Sequence, residues 1–402
     1  MALSKYFPVP SDRMGFLWTL TSVSECYVIE FGPAGTTHFA IEGVMELNAE
    51  HKMNVYTTHI SEVDITFGRH EKLSGAIKEV DGTHQPKYIF VMASSVSALI
   101  GIDIESICLE MQQEVKAKLI PVSTGGYDGD YNLGVEQALT LLVETMTKEN
   151  ASEENLYNII GCTIDSYNFL SDRTEIENIL HETFGMKLNT CFTAYTSVEE
   201  IEQAAKAKYN IVIRREGLKC AEYMKEHFNI PYVYGRPYGG CATLAWLKEI
   251  AQVFEKKVNM DYVKGKAEEI KEHSSNYRRY ITNFTSKEVL LYGEYDTVLG
   301  LKVFMEELGL NAATLYIKHE MANLPEAIKA KPTEAMLKEE LKKDYHMVMG
   351  DDVLHRMSGD KHFLQIANPN MDSYNFYRYT PLLGFNGAVR ILQDLMNFER
   401  KV

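Results

Sequence analysis

The sequence lacks the features that mark several large classes of protein. Its six cysteines, at 26, 108, 162, 191, 220 and 241, form no CxxC pair and no zinc spacing, so neither a disulfide framework nor a structural zinc site is indicated. No apolar run approaches the roughly 20 residues that a membrane-spanning helix needs. The N-terminus has no apolar core or cleavage site of the kind that directs secretion. These absences predict a cytoplasmic protein with no membrane partner.

Clusters of basic residues are also missing. The net charge is -15, from 41 Lys and Arg against 56 Asp and Glu, which argues against an extended phosphate-binding face and hence against a nucleic-acid partner. A hydrophobic fraction of 45% with 24% charged residues is typical of globular proteins. A length of 402 residues fits two or three α/β domains.

Short apolar runs alternate with amphipathic stretches along the chain. The runs at 87–92, 158–162, 210–213, 288–292 and 311–316 predict buried strands. Helix candidates lie between them, for example 197–208, which opens with a capping box of Ser197 and Glu200. This alternation predicts parallel sheets with helices on both faces. It restarts near residues 1, 153 and 286, and the polar stretch 271–287 is the best linker candidate.

A glycine-proline turn at 31–39 follows the apolar residues 27–29. Gly32 and Gly35 flank Pro33, and such a turn lets the backbone pass close to a bulky neighbour, such as a cluster or a partner chain. An ordinary strand-to-helix turn is the alternative interpretation.

Seven segments in order resemble those of nitrogenase component 1, the molybdenum–iron protein superfamily. They are residues 31–39, 62–77, 86–103, 125–127, 189–201, 228–232 and 380–388. The resemblance covers nearly the whole chain and implies an α/β fold of three Rossmann-like domains with parallel sheets around a central cleft. The implied domains are 1–152 together with 376–402, then 153–285, then 286–375.

The chain departs from that family at the ligands of the inter-subunit iron–sulfur cluster, which three cysteines hold on each typical subunit. Thr36 stands in place of the cysteine of the turn and Ser95 in place of the second. The third is expected well upstream of the turn, where this chain has no cysteine. Thiolates hold iron–sulfur clusters, and neutral hydroxyls are poor substitutes. Any iron–sulfur cluster is therefore expected to be shared with, or supplied by, a partner subunit.

The ligands of the family's active-site cofactor are also replaced. Its cysteine ligand corresponds by position to Ile213 and its histidine ligand to Tyr374, and neither side chain anchors an iron–sulfur cofactor in the same way. No nitrogenase-type active-site cofactor and no nitrogen fixation by this chain alone are expected.

Three further residues are candidates for a cofactor site. Cys26, ten residues before Thr36, is the candidate metal ligand for a cluster lying across a two-fold interface, although free cysteine is more often a small buried hydrophobe. Cys241 follows two glycines in a loop expected to face the cleft, where it binds an anion or metal or packs a helix N-terminus. His38 is either a ligand or proton donor, or a surface histidine.

Charged residues follow two of the predicted strands. Arg214 and Arg215 come just after the strand at 210–213, where open α/β sheets bind ligands. Paired arginines there recognise carboxylates bidentately, or they form salt bridges with the acidic surface. The cluster 318–320 has the same two interpretations.

The resemblance favours a subunit of a nitrogenase-like oxidoreductase, working in ATP-dependent, low-potential, anaerobic reduction. Its expected partners are a homologous component-1-like subunit, in a homo- or hetero-oligomer, and an iron-protein ATPase that donates electrons. One alternative is a non-catalytic scaffold for cluster or cofactor assembly, or a structural subunit. The other is a subunit of a tetrapyrrole reductase.

Overall fold

A computed structural model of the chain describes residues 5, 8–45, 47, 53–283, 286–371 and 379–399. Its strands are β1 (Val23–Ser24), β2 (Tyr27–Phe31), β3 (Asn54–Thr57), β4 (Tyr88–Ala93), β5 (Lys118–Val122), β6 (Glu153–Cys162), β7 (Lys187–Thr193), β8 (Thr196–Ser197), β9 (Ala207–Val212), β10 (Tyr232–Tyr234), β11 (Glu288–Gly293), β12 (Asn311–Ile317), β13 (Ile328–Ala330), β14 (Met347–Gly350) and β15 (Phe363–Gln365).

Its helices are α1 (Asp12–Thr21), α2 (Ala34–Met45), α3 (Glu62–Phe67), α4 (Glu71–His84), α5 (Ser95–Leu99), α6 (Ile104–Met111), α7 (Tyr131–Met146), α8 (Phe169–Phe184), α9 (Val198–Glu202), α10 (Leu218–Phe228), α11 (Gly239–Val253), α12 (Met260–Tyr280), α13 (Tyr295–Glu307), α14 (Glu334–Glu340), α15 (Asp352–Ser358) and α16 (Gly384–Glu399). Short 3-10 helices lie at Ala204–Lys206, Arg215–Gly217 and Ile281–Asn283. No helix among the described residues is long and apolar enough to cross a membrane.

Within the described residues, three parallel sheets form the framework. The neighbouring strands run β3-β2-β4-β5 in the first sheet, β10-β9-β6-β7 in the second and β13-β12-β11-β14-β15 in the third. β4 is buried along its whole length, as a strand covered by helices on both faces should be. The predicted α/β fold with several parallel sheets is therefore confirmed.

The first and second sheet units are joined by close helix packing and by a small parallel sheet of β1 and β8. Helices α1 and α7 cross at two glycines, because a Cβ on Gly15 would lie 2.0 Å from the carbonyl oxygen of Tyr131. A Cβ on Gly134 would lie 1.8 Å from that of Asp12. This crossing places the N-termini of α1 and α7 side by side.

The last helix packs on the second unit, against α8, α11 and α12. The backbone N–H groups of Leu382 and Leu383 donate to the buried carboxylate of Asp172 at 2.7 and 3.1 Å. Asn386 donates in the same way to Glu175 at 2.9 Å. These carboxylates on α8 accept from N–H groups just before α16 and in its first turn, where the helix itself supplies no acceptors. This placement corrects the expectation that residues 376–402 return to the first domain, for the part 384–399.

The polar stretch 271–287, expected to be a linker, is helical as far as Tyr280. The reason is one-sided burial: Ile270, Ser274 and Tyr277 lie on one face of α12 and are buried, while the other faces carry charges. Domain boundaries after residues 152 and 285 remain our proposal, supported by the three large sheets, whose strands fall within 27–122, 153–234 and 288–365.

Candidate functional site

The carboxyl edge of the first sheet brings the glycine-proline turn and the loop after β4 together. The turn follows β2, Ser95 opens α5 after β4, and Gly126 follows β5. Because neighbouring parallel strands end at the same edge of a sheet, the turn, the start of α5 and the loop after β5 lie together at this edge. Open α/β sheets bind ligands at the carboxyl ends of their strands. With Ser11, these three segments line a cavity of about 440 Å³. We call it the turn pocket, and the residues used below are Ser11, Arg13, Gly35, Thr36, Ser95 and Gly126.

Two glycines make this approach possible. A Cβ on Gly32 would lie 2.4 Å from the Cβ of Ser94, so the turn packs directly on the start of α5. Gly126 has a φ of +94°, and a Cβ there would lie 3.2 Å from the hydroxyl oxygens of both Ser11 and Ser95. Any larger residue would push the segments apart.

The turn pocket offers hydroxyls at two of the positions where the family resemblance implies thiolates. Thr36 and Ser95, singled out from the sequence, both line it. Ser11, which the sequence analysis missed, is a third hydroxyl in the same pocket. The one feature that could have indicated Ser11 is its position directly before the start of α1. Neutral hydroxyls are poor ligands for iron, so the residues of this chain do not by themselves fit an iron–sulfur cluster here.

Cys26 does not reach the turn pocket. It lies before the first residue of β2, whereas the turn follows the last one, and five residues of strand separate them by about 16 Å. Its side chain belongs to the hydrophobic core with 1% exposure, and burial raises the pKa of the thiol. The structure therefore places the candidate metal ligand in the core, at the opposite edge of the sheet.

A buried ion pair lies beneath the turn pocket. The guanidinium of Arg13 contacts the carboxylate of Glu30, at the end of β2, at 2.5 Å, and both side chains are at most 5% exposed. A second nitrogen of Arg13 donates to the carbonyl oxygen of Thr36 at 3.3 Å. Burial raises the pKa of Glu30, while the neighbouring Arg13 opposes that rise. The pocket thus has a charged floor that the sequence analysis did not anticipate.

Large apolar side chains are exposed at the same edge of the first sheet as the turn pocket. Phe39 is 51% exposed, Leu99 72%, Ile100 40% and Tyr127 57%. Phe39 lies on α2 and itself lines the pocket, and the others follow β4 and β5 at the same edge of the sheet. We call these four residues the apolar rim. Exposed apolar side chains grouped at one edge of a sheet favour a protein–protein contact there.

His38 and Cys241 lie apart from the turn pocket. His38 is exposed on α2 and pairs with Glu42 at 3.0 Å, one turn further along the helix. Cys241 is exposed in the first turn of α11, and its backbone N–H donates to Glu307 at 3.3 Å. Partial burial and the neighbouring Glu307 raise the pKa of the Cys241 thiol.

Arg214 forms a second, central polar cluster at the carboxyl end of β9. Its guanidinium contacts the carboxylates of Asp165 and Glu216, each at 2.8 Å, with all three side chains at most 8% exposed. Thr163 accepts a further hydrogen bond at 2.8 Å. Gly161, with a φ of +94°, makes room for it, because a Cβ there would lie 2.5 Å from the Cγ of Arg214. Arg214 is thus an internal counter-ion for buried carboxylates.

The third sheet contributes a histidine and a glutamate to this central cluster. The Nε2 atom of His319 lies 3.6 Å from Glu294 and 4.0 Å from Glu216, and the hydroxyl of Tyr131 donates to Glu294. Burial raises the pKa of Glu294. Burial alone would also raise the pKa of Glu216, but Arg214 and His319 lower it below its usual range.

The central cavity is too small for a metal cofactor. Ile213, at the position of the family's cysteine ligand, lines it together with Arg214 and Glu294. Its volume is about 40 Å³, room for about three water molecules. Within the described part of the chain, no group of three or more His, Cys, Asp or Glu side chains has a metal-binding arrangement. Tyr374, at the family's histidine position, lies outside the described residues. The described residues therefore do not fit a cofactor of the nitrogenase active-site type.

Asp172, beside the central cavity, should make stability depend on pH. Burial raises the pKa of its carboxyl to about 7, against about 3.9 in an unfolded chain. Its contribution to the free energy of unfolding is complete below about pH 3.9 and is lost as the pH rises towards 7, with a slope of about 1.4 kcal/mol per pH unit. Urea unfolding of Asp172→Asn between pH 4.5 and 7 should show that slope removed. Glu182→Gln, an exposed position on the same helix, should leave it unchanged, and an unaltered slope in Asp172→Asn would contradict the assignment.

The fold and the two polar sites define a protein of parallel α/β units whose strand ends converge on a turn pocket and a small central cluster. Residues 11–398 match the family model of nitrogenase component 1 type oxidoreductases. The chain belongs to this family, as its motifs predicted. A solved structure described as nitrogenase Cp1 at pH 6.5 superimposes with a TM-score of 0.84, covering 100% of this chain and 95% of that one at 17% identity. That likeness shows the fold.

Among curated proteins, the chain is similar to nitrogenase iron-molybdenum cofactor biosynthesis proteins NifE. The protein of Clostridium pasteurianum is 30% identical over 60% of this chain and 53% of its own length. That of Nostoc is 34% identical over 46% of this chain and 38% of its own length. A third, from Rippkaea orientalis, is 26% identical over 85% of this chain and 73% of its own. This chain thus spans about half or less of the first two relatives.

Proposed function

We propose that the chain is a subunit for cluster or cofactor assembly that works in a complex with a homologous, cysteine-bearing subunit. The observation that carries the proposal is the turn pocket, where Ser11, Thr36 and Ser95 offer hydroxyls beside an exposed apolar rim. A pocket of this kind supplies a contact surface without supplying iron ligands. Any iron–sulfur cluster at the contact is then held by thiolates of the partner.

The central site supports assembly over reduction. Catalysis on a bound metal cofactor needs a permanent ligand and space, whereas Ile213 is aliphatic and the cavity beside it is about 40 Å³. The similar NifE proteins are named for cofactor biosynthesis. A larger cavity of about 490 Å³ lies beside the central cluster, lined by Asp130, Glu216 and Glu320 among others. The described residues that line it contain no thiol or imidazole to anchor a metal cofactor. An ATP-dependent reductase that takes electrons from an iron protein, or a tetrapyrrole reductase, is the alternative that would use this cavity.

The apolar rim supports a protein partner at the turn pocket. Phe39, Leu99 and Tyr127 are each more than half exposed, and burying such side chains drives association. A homologous subunit would have an equivalent edge of its first sheet. If the two subunits associate through these equivalent edges, their turn pockets would face each other across a pseudo-two-fold axis.

Iron analysis after anaerobic expression with cluster-assembly support tests the proposal. The wild-type chain alone and Cys26→Ala should both contain little iron, because Cys26 is buried away from the turn pocket. Iron should appear when either is co-expressed with a cysteine-bearing homologue. Cys220→Ala, another fully buried cysteine, is the matched control for loss of packing. About four irons per homodimer in the wild type, lost in Cys26→Ala but kept in Cys220→Ala, would contradict the partner-dependent proposal.

A further inference from the structure

We infer that the turn pocket binds a small oxyanion, of the phosphate or sulfate class, through Arg13, the hydroxyls of Ser11 and Ser95, and the N-terminus of α2. The site goes beyond the proposed assembly function, because it depends only on side chains and backbone of this chain. Its occupant is a free anion, and it needs no thiolate and no partner subunit.

Arg13 supplies the charge. Its side chain is 5% exposed, it lines the pocket, and its Nε atom is buried with no hydrogen-bond partner. A guanidinium has five N–H donors, and here one pairs with Glu30 at 2.5 Å and another reaches Thr36 at 3.3 Å. A buried donor without a partner is destabilising, so an acceptor oxygen placed beside this nitrogen would stabilise the side chain.

The start of α2 supplies backbone donors. The helix runs for 12 residues from Ala34, and the first N–H groups of a helix have no partner within it. The N–H of Thr36 donates to the carbonyl oxygen of Pro33 at 3.3 Å, so the donors for an anion are those of Ala34 and Gly35. Their positive partial charge is the usual setting for a bound phosphate or sulfate. A Cβ on Gly35 would meet nothing within 4 Å, so this helix end is open to the pocket.

The hydroxyls of Ser11 and Ser95 are the remaining donors of the proposed anion site. Ser11 precedes α1 and its side chain makes no capping hydrogen bond, which leaves its oxygen available. The oxygens of Ser11 and Ser95 lie on the same side of the pocket, since both are 3.2 Å from the position of a Cβ on Gly126. A tetrahedral oxyanion has four acceptor oxygens, enough to accept from a guanidinium, two hydroxyls and a helix N-terminus at once.

Glu30 is the internal competitor for Arg13. It is 1% exposed, and one of its carboxylate oxygens has no hydrogen-bond partner. Because the Arg13–Glu30 pair uses one guanidinium nitrogen, the other nitrogens remain for the anion, and the pair need not break. The pair fixes the guanidinium in place, which reduces the entropy that binding would otherwise lose.

Isothermal titration of the full chain with sodium phosphate, against sodium chloride at equal ionic strength, tests the site. We expect saturable one-site binding of phosphate in the wild type. Affinity should fall about tenfold or more in Arg13→Gln and in the double variant Ser11→Ala/Ser95→Ala, because each removes charge-assisted hydrogen bonds. Arg69→Gln, which removes an exposed arginine elsewhere, should bind phosphate as the wild type does.

No saturable heat in the wild type, or equal affinity in all variants, would overturn the inference. Circular dichroism will show whether Arg13→Gln folds. If it does not, the phosphate affinity of Ser11→Ala/Ser95→Ala tests the site, since Ser11 and Ser95 are only partly buried and their replacement should not prevent folding. Size-exclusion chromatography with a cysteine-bearing homologue separates this inference from the proposed function. Phosphate binding without complex formation contradicts only the proposed function, and complex formation without phosphate binding contradicts only the anion site.

Discussion

Replacement of Arg214 by methionine is expected to lower the free energy of unfolding by about 3–5 kcal/mol. The methionine would leave the carboxylates of Asp165 and Glu216 buried, at most 8% exposed, without their shared counter-ion. An uncompensated buried charge is strongly destabilising, whereas the intact pair is close to neutral. Urea unfolding at pH 7, followed by circular dichroism, measures the difference.

The matched control for Arg214 is Lys219→Met. Lys219 pairs with Glu136 at 2.6 Å, but its side chain is 63% exposed, and exposed ion pairs contribute about 1 kcal/mol or less. The triple variant Arg214→Met/Asp165→Asn/Glu216→Gln should recover part of the stability, because it removes the charges that Arg214 neutralises. A loss of similar size in Arg214→Met and Lys219→Met would show that the central cluster is not an obligatory ion network.

Introduction of two aspartates on the apolar rim, in Phe39→Asp/Leu99→Asp, should weaken association with a cysteine-bearing homologue about 100-fold or more. Both side chains are more than half exposed, so the isolated chain should keep its stability within about 0.5 kcal/mol. In the complex, the two carboxylates would be buried against apolar surface with no partner. Titration of the homologue into labelled chain, followed by fluorescence anisotropy, gives the dissociation constants.

Leu109→Asp is the control for the rim. Leu109 is 68% exposed on α6, outside the turn pocket and its rim, and its replacement should leave the dissociation constant within about twofold. Equal weakening by Leu109→Asp and by the rim variant would indicate a general effect of added charge. Undiminished affinity in the rim variant would place the partner contact on another surface.

Local signals in the sequence determined much of the secondary structure. The runs 288–292 and 311–316 correspond to β11 (Glu288–Gly293) and β12 (Asn311–Ile317). The predicted capping box is confirmed: the side chain of Ser197 accepts from the backbone N–H of Glu200, and the side chain of Glu200 accepts from that of Ser197. The helix it opens, however, ends at Glu202, and residues 207–212 form a buried strand of the second sheet. Periodicity alone does not separate a short buried strand from the end of a helix.

The order of the motifs predicted the family. Because the resemblance puts Thr36 and Ser95 at two ligand positions of one cluster, it also implied that the turn and the loop at Ser95 lie close together. Only the tertiary structure decided what each side chain does there. Arg13 and Ser11 reach the turn pocket through the α1–α7 crossing, which no local pattern encodes. Arg214 is neutralised by Asp165, 49 residues away in the sequence, and Cys26 lies at the opposite end of β2 from the turn. The hydrogen-bond partners, burial and charge balance of a side chain depend on segments that are distant in the sequence and close in the fold. The sequence therefore identifies candidate residues, and the tertiary structure shows what each of them contacts.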